Sequence, residues 1–340
     1  MKFGPVPLDQ AVTKILAHNV AGPDGLRLFR KGRPLTAADV EQLRRIGRAS
    51  VYVAELEPGD VGENAAARRV AQAGLGANLK IAGAASGRAN LLATTLGVLR
   101  VDAARLNRLN ELDGLTLATL AAHSPVRPRQ IVGTIKVIPF ALPGQTVQAA
   151  EAIAGAGGPL LRVDALAERP VGLILSGSPS LREKLLDDFA PLTDRVAALG
   201  ARLLAPQFIP LEDEPGEHAL AQAMRAQQAA GAALILLAGE TAIMDRYDIV
   251  PRAVERAGGQ VECVGAPVDP GNLLMLGYLE AVPVLGAPGC ARSRKLNIVD
   301  WVLPRLLAGD RLTRADISAL GHGGLLEDAP ERPVPRSRLE

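Results

Sequence analysis

Two kinds of hydrophobic patterning divide this chain. Up to about residue 165, short apolar runs mix with polar turns and with segments of helical spacing. From Arg169 onward the succession becomes regular: an apolar run, a loop of small or polar residues, then a stretch with apolar residues every three or four positions. The runs at 171–175, 201–205, 234–237, 261–264 and 282–285 are nearly continuous, as strands buried on both faces are. Helical spacing marks 181–199, 217–230, 252–257 and 298–307, with Gly200 and the Gly258-Gly259 pair as stops. Repeated strand-then-helix units predict an α/β fold: a three-layer α/β/α domain over 166–310 with a mostly parallel sheet. A mixed α/β region over 1–165 precedes it. Residues 311–340 form a C-terminal extension that ends, from Glu327, in a charged, Pro-rich mobile tail.

Within the first region, residues 8–17 read as a short helix and 26–32 as a strand and turn. Thr36, with Asp39 three residues on, has the form of a capping box. Val40, Leu43 and Ile46 then fall on one helical face, Gly47 ends the helix, and 51–53 is the next strand. Residues 63–73 read as helix, 99–101 as strand, and Asp102 as the cap of a helix over 103–112. The run 131–138 is a strong strand signal closed by Pro139 and by Pro143-Gly144. The glycine-rich stretch 155–159 is the best linker candidate.

Composition narrows the classes. At 340 residues the chain is long enough for two or three domains. Five Phe, three Tyr and one Trp leave the cores to Leu, Val, Ile and Ala. The formal charge of +2 is spread along the chain, without the clustered basic face that nucleic-acid binding requires. No apolar run reaches the 18 or so residues of a membrane span, and MKFGPVPLDQ lacks a secretory core, so a cytoplasmic location is expected. Cys263 and Cys290 give neither a disulfide framework nor a metal-ligand spacing, and the four histidines follow no metal motif.

The candidate chemistry lies in loops at predicted strand ends. Ser176-Gly177-Ser178 offers two hydroxyls and a glycine, which suits a phosphate; an ordinary N-cap for the next helix is the alternative. Gly239-Glu240-Thr241 follows the 234–237 strand, and Asp245 and Asp248 follow that. The two carboxylates suit Mg²⁺ beside a phosphate, or hydrogen bonds from N–H groups of a ligand; capping of the following helix is the alternative, and one carboxylate can do both. Glu240 repels a phosphate unless a cation intervenes, so it points away or binds a basic edge of the ligand. Pro270-Gly271-Asn272 forms a further turn. Pro288-Gly289-Cys290-Ala291-Arg292-Ser293, with Arg294 and Lys295, forms a receptor for a phosphate-bearing ligand or a solvated surface loop, with Arg292 and Ser293 the strongest choices.

In order and spacing these loops resemble the molybdopterin-binding domain shared by molybdenum insertases and molybdopterin adenylyltransferases. That pattern runs from a Gly-Gly loop through an Asp-Tyr-Asp cluster and a Pro-Gly-Lys turn to a closing Leu-Pro-Gly-Asn-Pro loop. The matching places hold Gly239-Glu240-Thr241, Asp245-Arg246-Tyr247-Asp248, Pro270-Gly271-Asn272, Gly277 and Ala287-Pro288-Gly289-Cys290. Glu240 stands where the family has a second glycine, and Asn272 where the insertases have lysine. The whole chain is similar to the molybdopterin-binding half of bacterial proteins in which that half precedes a molybdenum cofactor cytidylyltransferase domain. MKFGPVPLDQA, LFRKGRPLT, LEPGDVGE, GTIKVIPF, VDPGNLL, LGAPGCARS and KLNIVDWVL carry this likeness.

The resemblance implies binding of molybdopterin or the molybdenum cofactor. Its partners would be a separate cytidylyltransferase or an apo-molybdoenzyme, and the chain would be a homo-oligomer. It also implies two rival readings. One is a Mg²⁺-dependent transferase, inserting molybdenum or transferring a nucleotidyl group, with Asp245 and Asp248 as catalytic metal ligands. The other is a hydrolase like the nicotinamide-nucleotide amidases and pyrophosphatases.

Overall fold

The computed structural model describes residues 1–211 and 213–326; the tail expected from Glu327 lies outside the described residues. The chain folds as two compact units. One comprises Met1–Thr95, Leu99–Ala122 and Val126–Val163; the other comprises Leu96–Val98, His123–Pro125 and the chain from Asp164 onward.

In the first unit, antiparallel strands Lys2–Pro7, Ser50–Glu55 and Ile15–Leu16 form a small sheet. Leu16, Phe29, Leu35, Val40 and Leu43 make its core. The helix Ala37–Arg45 starts with the expected capping box. The Asp39 N–H donates to Thr36 Oγ1 at 3.2 Å, and the Thr36 N–H donates to Asp39 Oδ2 at 2.9 Å. Arg33 adds a fork onto both Asp39 oxygens at 2.8 and 2.7 Å.

The helix expected at 8–17 does not form. A single turn, Leu8–Gln10, is followed by Thr13 at φ 72° and by the strand Ile15–Leu16. The Leu16 and Ala17 N–H groups donate to Arg33 O and Tyr52 O at 2.9 Å each, so long-range pairing overrides the local spacing.

Further along the same unit, Leu115–Thr119, Ile131–Val137, Arg88–Ala93 and Leu79–Ala85 form an antiparallel sheet in that order. Helix Glu63–Gly74 lies on it, and helix Gly144–Gly155 packs on that helix through Ala150 and Ala154. Pro143-Gly144, read from sequence as a break, instead opens this second helix. Proline costs nothing there, because the first helical N–H groups have no intrahelical acceptor.

The second unit is α/β. Its seven-stranded sheet runs Arg202–Leu203, Pro170–Gly177, Leu234–Gly239, Val282–Gly286, Met275–Leu279, Gln260–Val264, and Gln207–Pro210 also pairs with Pro170–Gly177. All strands point the same way except Met275–Leu279, which is antiparallel to both neighbours. Successive side chains of the central strands go to opposite faces. Leu173, Leu175, Leu234 and Leu236 meet Phe189, Leu192, Val196 and Leu303. Ile174, Ile235 and Leu237 meet Leu220, Met224 and Val254 on the other face.

The helix expected at 181–199 is two helices, Arg182–Asp188 and Ala190–Ala198, with buried Phe189 between them and Pro191 in the first turn of the second. Leu312 and Ile317 are buried in the first of these cores, so 311–326 belong to this unit. No helix among the described residues is long and apolar enough to cross a membrane.

The capping box yields a pH-dependent prediction. Burial works against the Asp39 charge, but the Thr36 N–H, its hydroxyl and Arg33 outweigh burial and hold the carboxyl below the usual carboxylate range. Its stabilisation is therefore present above the unfolded value of about 3.9 and is lost as pH falls through the lower folded value. Asp39→Asn should cost on the order of 1–2 kcal/mol near pH ~7, and the difference should shrink below pH ~4, as read from denaturant midpoints across pH.

Candidate functional site

The strand Pro170–Gly177 has neighbours on both sides. The chain leaves it toward Arg202–Leu203 and Gln207–Pro210, then crosses back to Leu234–Gly239 on its other flank. The carboxyl ends of Pro170–Gly177 and Leu234–Gly239 therefore flank a point where strand order reverses, the usual ligand crevice of an open α/β sheet. Ser176 pairs with Gly239 there. A Cβ on Gly239 would stand 2.7 Å from Ser176 Oγ and 2.9 Å from Ser176 O, so this approach admits only glycine.

Ser176, Gly239, Thr241 and Asp248 share one small cleft open to solvent, with apolar walls that include Leu211, Ile243 and Ala287. Ser176 is only 5% exposed, and it lies on the wall of this cleft. Sequence reasoning singled out four of these cleft residues. It missed the apolar wall, since Leu211 and Ile243 look like ordinary loop or core positions.

Asp248 is the N-cap of helix Ile249–Arg256. Its Oδ1 accepts the Ile249 N–H at 2.8 Å, and its Oδ2 accepts the Met244 N–H at 3.1 Å, which folds the loop before the helix. Asp245 is exposed and accepts the Tyr247 N–H at 2.8 Å. Both carboxylates thus do capping and turn work. Among the described residues, no three His, Cys, Asp or Glu side chains gather into a metal-binding group.

Gly177, Ser178 and Glu240 form a second cluster beside the cleft. The Ser178 N–H donates to Glu240 Oε2 at 2.7 Å, and the Glu240 N–H donates to Ser176 O at 2.8 Å. The Ser178 N–H, then the Ser178 side chain, then Arg292 lower the Glu240 carboxyl below its usual range. Arg292 reaches the same strand end. Its Nη2 donates to Gly239 O at 2.6 Å, and its guanidinium lies 4.8 Å over the Phe189 ring.

The 288–293 loop contains one tight turn, Gly289–Arg292, and is held from behind. Arg195 donates to Ser293 O at 2.9 Å, to Lys295 O at 2.8 Å and to Asp300 at 2.8 and 3.2 Å. Asn297 Nδ2 donates to Cys290 O at 3.3 Å, and Ser293 Oγ accepts the Lys295 N–H at 3.1 Å. Pro288 is buried and Cys290 half-buried. Arg195 and Asn297 went unnoticed in the sequence, because a helical Arg and an Asn ahead of a helix carry no distinctive spacing.

Pro270-Gly271-Asn272 stands apart from the cleft lining. It joins Gln260–Val264 to Met275–Leu279, further along the sheet. Gly271 is bare because Ile298 occupies the space of a Cβ, and Pro270 O accepts the Ile298 N–H at 3.2 Å. This turn supports the start of helix Val299–Leu307, and Asn272 is exposed.

Among known families, residues 5–55 match a domain of unknown function (DUF8806). No curated protein matches the chain. A solved structure titled as the molybdopterin biosynthesis moea protein from Pyrococcus horikosii aligns at 13% identity and TM-score 0.31, over 91% of this chain and 75% of that one. A molybdenum cofactor biosynthesis protein from Pyrococcus furiosus aligns at 12% identity and TM-score 0.25, over 91% of this chain and 64% of that one.

Arg195 is the testable support of the loop. Arg195→Ala leaves Asp300 and several carbonyls without their donor, so it should cost on the order of 3 kcal/mol. Faster hydrogen exchange across residues 290–297, at matched global stability, is the accompanying signature to measure.

Proposed function

We propose that the cleft at the carboxyl edge of the second unit binds molybdopterin or the molybdenum cofactor. The observation that carries this reading is the cleft lined by Ser176, bare Gly239, Thr241 and Asp248 at the reversal of strand order. A hydroxyl on the cleft wall both donates and accepts, so Ser176 can hydrogen-bond a polar ligand there. The apolar walls suit a flat heterocycle, and Thr241 and Asp248 supply a hydroxyl and an acceptor at its rim. Arg292 and the 288–293 loop supply positive charge for the anionic part of such a ligand. The ordered resemblance over residues 239–290 supports the pterin over other heterocycles. Asp245, Pro270, Gly271 and Asn272 take supporting places around this edge.

Under this reading the chain holds the cofactor and hands it to a separate cytidylyltransferase or an apo-molybdoenzyme. The transferase reading, with Mg²⁺ on Asp245 and Asp248, has less support, because both carboxylates already accept backbone N–H groups.

Two substitutions separate binding from folding. Ser176→Ala removes one small hydroxyl from the cleft wall, so stability should stay within about 0.5 kcal/mol while affinity for molybdopterin falls about tenfold. Asp248→Asn keeps a good N-cap and removes the charge, so it should weaken binding more than it lowers the melting temperature. Titration with molybdopterin and with the molybdenum cofactor, with and without Mg²⁺–ATP, is the test. Binding without nucleotide consumption supports a carrier. Release of AMP or pyrophosphate supports the transferase. Wild-type affinity in both variants would place the site elsewhere.

A further inference from the structure

The turn 244–247 stands at the rim of the cleft. It joins two residues of the cleft wall, Ile243 and Asp248, so the chain leaves the wall, turns and returns to it. The backbone of the turn is fixed from within. The Met244 N–H donates to Asp248 Oδ2 at 3.1 Å, the Asp248 N–H to Asp245 O at 3.2 Å, and the Tyr247 N–H to Asp245 Oδ1 at 2.8 Å. Arg246 is drawn toward the strand Gln260–Val264 and the helix Ile249–Arg256: its Nη2 donates to Val261 O at 3.4 Å and lies 3.5 Å from Glu255. The turn leaves two large side chains in solvent, Met244 at 69% exposure and Tyr247 at 80%. No other large hydrophobic side chain among the described residues is as exposed as Tyr247. An aromatic ring held in water by a fixed turn has apolar surface still to bury.

The cleft is small and open, whereas a binding site covers roughly 70–90% of a small ligand's surface. A flat heterocycle seated against Ser176 and Ile243 keeps one face in water unless a further wall closes on it. Tyr247 is one peptide from the wall residue Asp248, about 3.8 Å between Cα atoms, which is less than the length of its own side chain. We infer that Tyr247 is a specificity residue of this cleft: its ring stacks on the outer face of a flat heterocyclic ligand, with Met244 beside it. This inference rests on the proposed reading of the cleft as a pterin site. Stacking selects planar rings over saturated or branched molecules of equal size, because only a π-face gains from it. The unbranched Met244 thioether adapts to whatever outline the ring leaves. Since the backbone of the turn is already fixed, rotation of two side chains is the only ordering the closure requires.

The test titrates molybdopterin into the full chain and its variants. Tyr247→Leu, which keeps apolar bulk without a ring, should lose about tenfold in affinity. Tyr247→Phe, which keeps the ring without the hydroxyl, should stay within about twofold of wild type. Met244→Ala should lose about threefold. Both positions are exposed, so these variants should melt near the wild-type temperature, and circular dichroism verifies that they are folded. A folded Tyr247→Leu that binds as wild type does overturns the inference; if Ser176→Ala still weakens binding, the reading of the cleft survives it. A loss shared equally by Tyr247→Phe also overturns the inference, since the hydroxyl and not the ring is then the contact. A wild type that takes up no molybdopterin overturns the reading of the cleft, and the stacking wall with it.

Discussion

The meeting of Ser176 with Gly239 is the constraint on which the rest of the sheet edge depends. Two adjacent parallel strands end side by side, and their register leaves no room for a Cβ between them. That register is fixed from below. Leu173, Leu175, Leu234 and Leu236 fill one core while Ile174, Ile235 and Leu237 fill the other, and a slip of one residue would exchange the two sets. Hydrophobic burial on both faces thus sets where a single hydroxyl stands. The cleft, the Glu240 side chain and the reach of Arg292 all follow from that placement.

Around this fixed point the polar groups divide their work. Asp248 caps a helix and folds the loop ahead of it, while remaining on the cleft wall. Glu217 is buried and ion-paired with Arg252 and Arg256, which ties that helix to Asp213–Ala229. Arg195 does for the 288–293 loop what a strand or helix would do, supplying donors to carbonyls that regular structure leaves unpaired. Side chains that read from sequence as ligand groups are in several cases also the means by which the loops keep their shape.

The legibility of the chain follows the range of the interactions involved. The strands Pro170–Gly177 and Leu234–Gly239 and the Thr36–Asp39 box were readable, because burial on both faces and capping leave local patterns. The strand Met275–Leu279 was missed: MLGYL lies only two residues from the next apolar run, and its place between two strands is decided by pairing. The helix Gly144–Gly155 was hidden by a Pro-Gly pair that serves as a start as readily as a stop. In the site, the loops and their order were legible from glycines, hydroxyls and carboxylates. The bond from Ser178 to Glu240 spans 62 residues of sequence and was not legible, nor was the hold of Arg195 on a loop nearly 100 residues away. The awkwardness of Glu240 beside a phosphate was visible in the sequence; its resolution needed the fold.

The hold of Arg195 on the loop has a kinetic meaning. A segment that carries its own internal donors is ordered before any ligand arrives, so the entropy of ordering it belongs to folding and not to association. Under the proposed binding role, an incoming molecule would meet Arg292 and Ser293 already in place. Capture at this edge would then be a single encounter whose observed rate climbs in proportion to ligand concentration, without the plateau that a closing loop imposes. Selectivity at such a rigid edge would lie in how fast a wrong molecule leaves.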